Sequence, residues 1–362
     1  MTDDVPGNGL MPGGLILGSA RCGSTLISEI LRLHPEILSI SELFSTVGPN
    51  AFRSSNMSGR RFWRYMAQPS AALSQVGNPG VAPQEFLYGK VENPAHDPWL
   101  CPPILAITLP HLCDNPDGLF DQLSMTVPGW QRQSMASHYR ALFSTLADHC
   151  GTRRMWVERS GGSLVAAGTL LHMFPEARPV LLLRNGADTA LSMRDYPATR
   201  LAIWMWRHLR PLGIDLLDPH HHYGKGGMWP LVARLGSVFK MQRIIQKRPS
   251  LKDCGAFWSA ITRAGLRALN GHDPMVLSYD LLCDQPHREI ARLGDFLLGD
   301  APENWLDQAA RLPQKRPSRL QSLTLQEQSI IRDACAPGEH AIQVFLTAQQ
   351  SSGHAINRVL SQ

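Results

Sequence analysis

Residues 18–25 read Gly-Ser-Ala-Arg-Cys-Gly-Ser-Thr, a run of small and hydroxylated residues around one cation, Arg21. A loop of this kind at the start of a helix brings backbone N–H groups and a helix N-terminus to one point, which is how proteins hold a phosphate. The comparison it invites is the nucleoside-triphosphate loop, G-x-x-x-x-G-K-[ST]. Gly18, Gly23 and Thr25 fit, but Ser24 stands where the lysine belongs. Metal-dependent phosphoryl transfer also needs a carboxylate to hold Mg²⁺, here expected at the end of a later strand. The best later strand, residues 179–183, ends in Arg184 instead. Arginine cannot hold Mg²⁺, but it can grip a second phosphate. The pattern suits a nucleotide with phosphates at two places, read without metal.

The elements that must position these groups alternate between strand and helix. Residues 13–18 form an apolar run, long enough for one buried strand. Leu26, Ile30, Leu31 and Leu33 follow at helical spacing, and His34-Pro35 stops that helix. Residues 37–40 read as a second strand, leading to Ser41-Glu42. Further strands are expected at 104–109, 154–158, 179–183 and 275–278. Helices are expected near 60–67, 131–149, 163–174, from Asp188 as cap, 197–210, 231–246, 255–270 and 286–298. Thr324-Leu325-Gln326-Glu327 matches a capping box at the start of a terminal helix.

This order implies an α/β fold, a mostly parallel sheet covered on both faces. Parallel strands share one carboxyl edge, and ligands bind there. Arg21, Glu42, Arg159 and Arg184 each fall at or just after a strand end, so all four should line one crevice. Right-handed crossover is expected to set the Glu42 strand beside the Arg21 loop. Ser192, about one turn past Asp188, leans back toward the helix start and can join Arg184 on the same anion.

Composition bounds the rest. The chain has 362 residues, a formal charge of +5, 18% charged and 43% hydrophobic residues. That mild basicity fits an anionic small molecule better than nucleic acid, which leaves a denser basic stripe. The seven cysteines form no C-x-x-C pair, which points to a reduced, cytoplasmic setting without a zinc site. Neither a signal peptide nor a transmembrane segment is expected. Adjacent histidines in the 211–230 loop (His220, His221, His222) point in different directions, so no metal is assigned to them. Residues 1–12 are expected to be a disordered tail and 346–362 a C-terminal tail.

Arg21-Cys22-Gly23-Ser24-Thr25-Leu26, followed by His34-Pro35 and Glu42, resembles the 5′-phosphosulfate loop of sulfotransferases that use 3′-phosphoadenylyl sulfate (PAPS). The form is the R-S-G-[ST]-T-L version of bacterial and tyrosylprotein-type members. Residues 181–192 are similar to the family's 3′-phosphate motif, h-h-h-R-[DN]-P-x-[DE]-x-x-x-S, with Gly186 in place of the proline. Residues 278–282, Pro286 and 295–297 resemble its Y-E-D-L…P…F-L-G segment.

The resemblance implies a P-loop-like domain over 13–345, with insertions at 43–130 and 197–250 forming an acceptor cap. It implies that the loop (Arg21, Cys22, Gly23, Ser24, Thr25) holds the 5′-phosphosulfate, with Arg21 facing the transferring sulfuryl group. Arg184 and Ser192 would hold the 3′-phosphate; Arg319, in the basic loop with Lys315 and Arg316, either closes over the nucleotide or belongs to a solvated loop. Glu42 falls at the position of the tyrosylprotein-type base, with a histidine such as His96 or His111 as the alternative, and Arg159 where many members have a sulfate-touching lysine. PAPS is then the co-substrate, with no metal. The acceptor is a hydroxyl of a small molecule, glycan or lipid, and the sequence leaves the oligomeric state open. The alternatives are a nucleotide-dependent kinase of the same fold and a catalytically inactive nucleotide-binding protein.

Overall fold

Residues 13–18 carry no charge and no proline, and they form the central strand, β1 (Gly13–Gly18), buried along its whole length. This computed structural model describes residues 10–69, 86–151, 153–212, 214–217 and 241–351. Four more strands complete one sheet: β2 (Ile37–Ser41), β3 (Met155–Arg159), β4 (Arg178–Leu183) and β5 (Met275–Ser278). All four pairings are parallel, and the order is β2-β3-β1-β4-β5. The lateral order departs from expectation. β1 pairs with β3 and β4, so β3 separates the Glu42 strand from the Arg21 strand.

Both faces of the sheet are covered, as near-continuous apolar parallel strands require. Side chains alternate between faces with period two. Leu15 and Leu17 join Leu38, Ile40 and Trp156 in one core, while Ile16 joins Ile37, Val157 and Val180 in the other. Helix α1 (Ser24–Arg32) supplies Ile27, Ile30 and Leu31 to the second core. Loss of one such leucine to alanine in a tight core costs about 2–5 kcal/mol.

Two short helices matter for the site: α2 (Leu43–Val47), directly after β2, and α3 (Thr108–Leu112). Residues 104–109, read from sequence as a strand, lie instead in α3 and in the preceding helix Pro103–Ala106. Pro102 and Pro103 explain the difference: their fixed φ suits a helix start and removes the N–H donors a strand would need. Helix α4 (Gly186–Asp195) follows β4 and is capped by Asn185, whose side chain accepts from Asp188 N–H at 3.0 Å. Asp188 therefore sits in the first turn and is not the cap itself.

Helix α5 (Leu251–Ala268) packs against the terminal helix α6 (Leu325–Ser351). The capping box at Thr324 and Glu327 forms reciprocally: Thr324 N–H donates to Glu327 at 3.0 Å and Glu327 N–H to Thr324 Oγ1 at 3.3 Å. Helix α6 runs past residue 345 to Ser351, so the first six residues of the expected tail are helical. His220, His221 and His222, and most of the 211–230 loop, lie outside the described residues. Among the described residues no helix is long and apolar enough to cross a membrane.

Candidate active site

Parallel pairing sends every strand's following loop to the same edge. Along that edge the order is Glu42 after β2, Arg159 closing β3, the 19–25 loop after β1, Arg184 after β4 and Tyr279 after β5. A cavity of about 650 Å³ runs along it, a size typical of small-molecule sites. Arg21, Gly23, Ser24 and Thr25 line it, as do Glu42 and Arg159. Arg184, Ser192 and Arg319 line it from the other side. Cys22 does not: it is 1% exposed, packed beneath Gly18, and burial pushes its thiol up to about 11. Only its backbone is placed to serve the loop.

At the β4 end, two arginines from distant segments meet. Arg21 Nε donates to Ser192 Oγ at 3.3 Å, and its guanidinium lies 4.5 Å from the centre of the Tyr196 ring. Arg184 Nη1 donates to the Arg21 carbonyl at 3.3 Å, and its guanidinium lies 4.7 Å from the centre of the Tyr279 ring. Such stacking fixes a guanidinium without using its donors. Arg184 Nε is buried with no hydrogen-bond partner among the described residues. A buried unsatisfied donor is costly, and an anion at this point would satisfy it. The resemblance implied that Arg21 faces a transferring group; its guanidinium here lies with Ser192 and Tyr196, on the Arg184 side.

The loop between these arginines is tightly built. Gly23 has φ +97°, and a Cβ there would sit 2.2 Å from the Tyr279 ring, so only glycine fits. At Gly186, where the family motif has proline, the N–H is used: it donates to Glu339 Oε1 on α6 at 2.9 Å. The basic loop is pinned by Asp188, whose Oδ1 accepts from Ser318 Oγ at 2.9 Å and Arg319 N–H at 2.8 Å. Arg319 Nη1 is held by Asp195 at 2.8 Å and Lys315 by Asp284 at 2.7 Å. Arg316, which also lines the cavity, carries no ion pair among the described residues.

At the β2 end, Arg159, Gly161 and Ser45 hold Glu42. Its N–H donates to the Arg159 carbonyl at 2.8 Å. Its Oε1 accepts from Arg159 Nη1, and its Oε2 from Gly161 N–H at 2.8 Å and from Ser45 Oγ. Ser160 Oγ accepts from Phe44 N–H at 3.1 Å and Ser45 N–H at 3.3 Å, so it caps α2 from outside. The same hydroxyl donates to Glu158 Oε1 at 2.5 Å. Glu158 is 1% exposed, and burial pushes its carboxyl up to about 8. Arg159, 3% exposed, also donates to Ser28 Oγ at 2.6 Å and Ser41 Oγ at 2.8 Å.

Glu42 itself has φ +58° and Arg21 φ +68°. Among the described non-glycine residues only Asn93 shares this left-handed backbone. Left-handed backbone outside glycine costs about 1–3 kcal/mol and persists where the surroundings over-determine it.

His111 lines the cavity wall near this end and is 5% exposed. Burial, with Arg159 and Arg32 adding to it, pushes its imidazole down to about 3, so it is neutral at pH 7.

Sequence reasoning did not reach Glu158, Ser160, Gly161, Ser28, Ser41, Ser45 or Tyr196. The Ser160-Gly161-Gly162 turn after a strand was a visible signal that the chain doubles back at the edge. Ser28 and Ser41 carried none, because only tertiary packing brings them to Arg159.

Solved structures similar to this chain are sulfotransferases. A sulfotransferase domain from the curacin biosynthetic pathway is 13% identical, over 93% of this chain and 98% of its own, with a TM-score of 0.45. The sulfotransferase domain of the olefin synthase of Synechococcus PCC 7002 is 14% identical over 96% and 98%, with a TM-score of 0.40. Sulfotransferase STF9 of Mycobacterium avium is 14% identical over 90% and 76%, with a TM-score of 0.41. A likeness this loose carries no argument about chemistry. No protein-family model and no curated protein matches the chain.

Proposed function

We propose that this protein is a sulfotransferase, moving a sulfuryl group from PAPS to a hydroxyl of a small-molecule, glycan or lipid acceptor by in-line displacement. One observation carries the reading. Arg21, Arg184 and Ser192 converge at one end of a ligand-sized cavity, while a fixed carboxylate, Glu42, stands at the other. β2 and β4 are three strand spacings apart, about 14 Å, which separates a nucleotide half from an acceptor half.

Each residue then has a task. Arg184 and Ser192 hold the 3′-phosphate, with the stacked Arg21 beside them; the N–H groups and hydroxyls of Gly23, Ser24 and Thr25 hold the 5′ end. As the acceptor oxygen attacks sulfur, the bond from sulfur to the bridging oxygen breaks and its electron pair leaves with the 5′-phosphate. Charge building there is met by the loop N–H groups and the cations. The acceptor proton passes to Glu42. A carboxylate offers about four acceptor positions, and Arg159, Gly161 and Ser45 fill three of them. The remaining position on Oε1 is the one for the proton. Arg159, with its nitrogens on Glu42, Ser28 and Ser41, orients this base.

The test is sulfuryl transfer from ³⁵S-labelled PAPS to a panel of hydroxyl acceptors, with and without EDTA. Label transfer that survives EDTA supports the reading. Phosphate transfer from Mg-ATP, with no label transfer, would replace it with a kinase.

A further inference from the structure

Thr25 and Glu29 lie four residues apart on α1, hence on one face, and both line the cavity. Glu29 is next to Ser28, which Arg159 bonds while it also holds Glu42. Glu29 and Glu42 line the same cavity. Its Oε2 is taken by Arg32 Nε at 3.1 Å, and its Oε1 lies 3.6 Å from His111 Nδ1.

The state of His111 follows from its other nitrogen. Nε2 lies 3.1 Å from Ser39 Oγ, and that hydroxyl also donates to the Ser28 carbonyl at 3.1 Å. A carbonyl can only accept and a hydroxyl has one proton. Both contacts hold only if His111 carries its hydrogen on Nε2. Nδ1 then presents a lone pair toward a carboxylate oxygen, at a separation longer than a hydrogen bond. Two acceptors face the cavity here, and neither supplies a donor to the other.

We propose that Glu29 and His111 form a hydroxyl-reading subsite, so that the acceptor carries, besides the hydroxyl that is sulfated, a vicinal diol whose two O–H groups meet these two acceptors, as in a sugar or polyol. A cation is the wrong occupant. Arg32 already balances the Glu29 charge, and it and Arg159 stand as cations near His111. Neutral O–H groups, one to each acceptor, meet the same need without charge. Phe86, Leu87 and Ile107 line the same cavity and leave apolar surface for the carbon frame.

This rests on the acceptor assignment above, so the test reads binding and not turnover. Catechol, phenol and 2-methoxyphenol are titrated into the full chain by ligand-observed NMR, with and without 3′,5′-ADP. Catechol should bind about tenfold more tightly than phenol, the worth of one added hydrogen bond to a charged acceptor. Methylation of one oxygen should remove the advantage. Glu29→Leu, at a part-exposed position, should abolish it while leaving 3′,5′-ADP binding unchanged. Equal binding of catechol and phenol, or a preference that survives Glu29→Leu, overturns the subsite. Failure of 3′,5′-ADP to bind would instead count against the nucleotide assignment and leave the catechol comparison standing.

Discussion

The two ends of the sheet edge are finished to different degrees. At the β2 end Glu42 and Arg159 are bonded to each other and to Ser28, Ser41, Ser45 and Gly161, so the carboxylate is set before any ligand arrives. At the β4 end Arg184 rests on an aromatic ring, and its buried Nε lacks a partner among the described residues. One end is preorganised by the protein; the other is completed by an anion. Substitutions at the β2 end should therefore cost turnover, and those at the β4 end should cost affinity.

Glu42→Gln gives the largest expected effect. It keeps size but removes the proton acceptor and sets an NH₂ against one of the donors that hold the carboxylate, so turnover should fall about 10²–10⁴-fold. The affinity for 3′,5′-ADP should stay within experimental error, and a nitrophenol acceptor, already partly ionised, should suffer less. Normal turnover with an alcohol would end the assignment of Glu42 as base.

Next comes Glu158→Gln, read as stability against pH. Burial pushes the native carboxyl up to about 8 from its ordinary 4.5, so between these pH values the folded state binds a proton that the unfolded state has lost. Wild-type stability should then fall as pH rises through this window, by up to about 1.4 kcal/mol per unit. Glu158→Gln should lack that slope. Parallel denaturation curves for the two proteins from pH 5 to 8 would show that Glu158 is charged in the fold.

Arg184→Ala should weaken 3′,5′-ADP by about 1.5–3 kcal/mol, the cost of a lost charge-assisted contact, and leave 5′-AMP nearly unaffected. Equal loss toward both ligands would remove Arg184 from the 3′-phosphate. The smallest effect is expected for Ser160→Ala. Losing the hydroxyl that caps α2 should cost about 1 kcal/mol of stability, with a fall in turnover as Glu42 loses its fixed direction. A lower melting temperature with unchanged turnover would show that α2 does not hold the base in place.

Much of this arrangement was legible in the sequence where local chemistry decides it. The boundaries of β1, β5 and the helix Pro286–Leu298 match the sequence reading, because apolar runs and helix-starting prolines act over a few residues. The convergence of Arg21, Glu42, Arg159 and Arg184 was legible too, since parallel strands share one edge. Lateral strand order was not: no local pattern says that β3 inserts between β1 and β2, yet that insertion is what joins Arg159 to Glu42. His111 and Ser39 are 72 residues apart and meet only through tertiary packing. Residues 104–109 misled because a short, mostly apolar run fits either a strand or a buried helix.

The central claim is that the β4 end reads a nucleotide with phosphates at both the 3′ and 5′ positions, without metal. Calorimetric titration in EDTA with 3′,5′-ADP, and separately with 5′-AMP, tests it most directly. 3′,5′-ADP should bind in EDTA at least tenfold more tightly than 5′-AMP, the worth of the charge-assisted contacts from Arg184. Equal binding of the two, or nucleotide binding that appears only with Mg²⁺ and ATP, would contradict it.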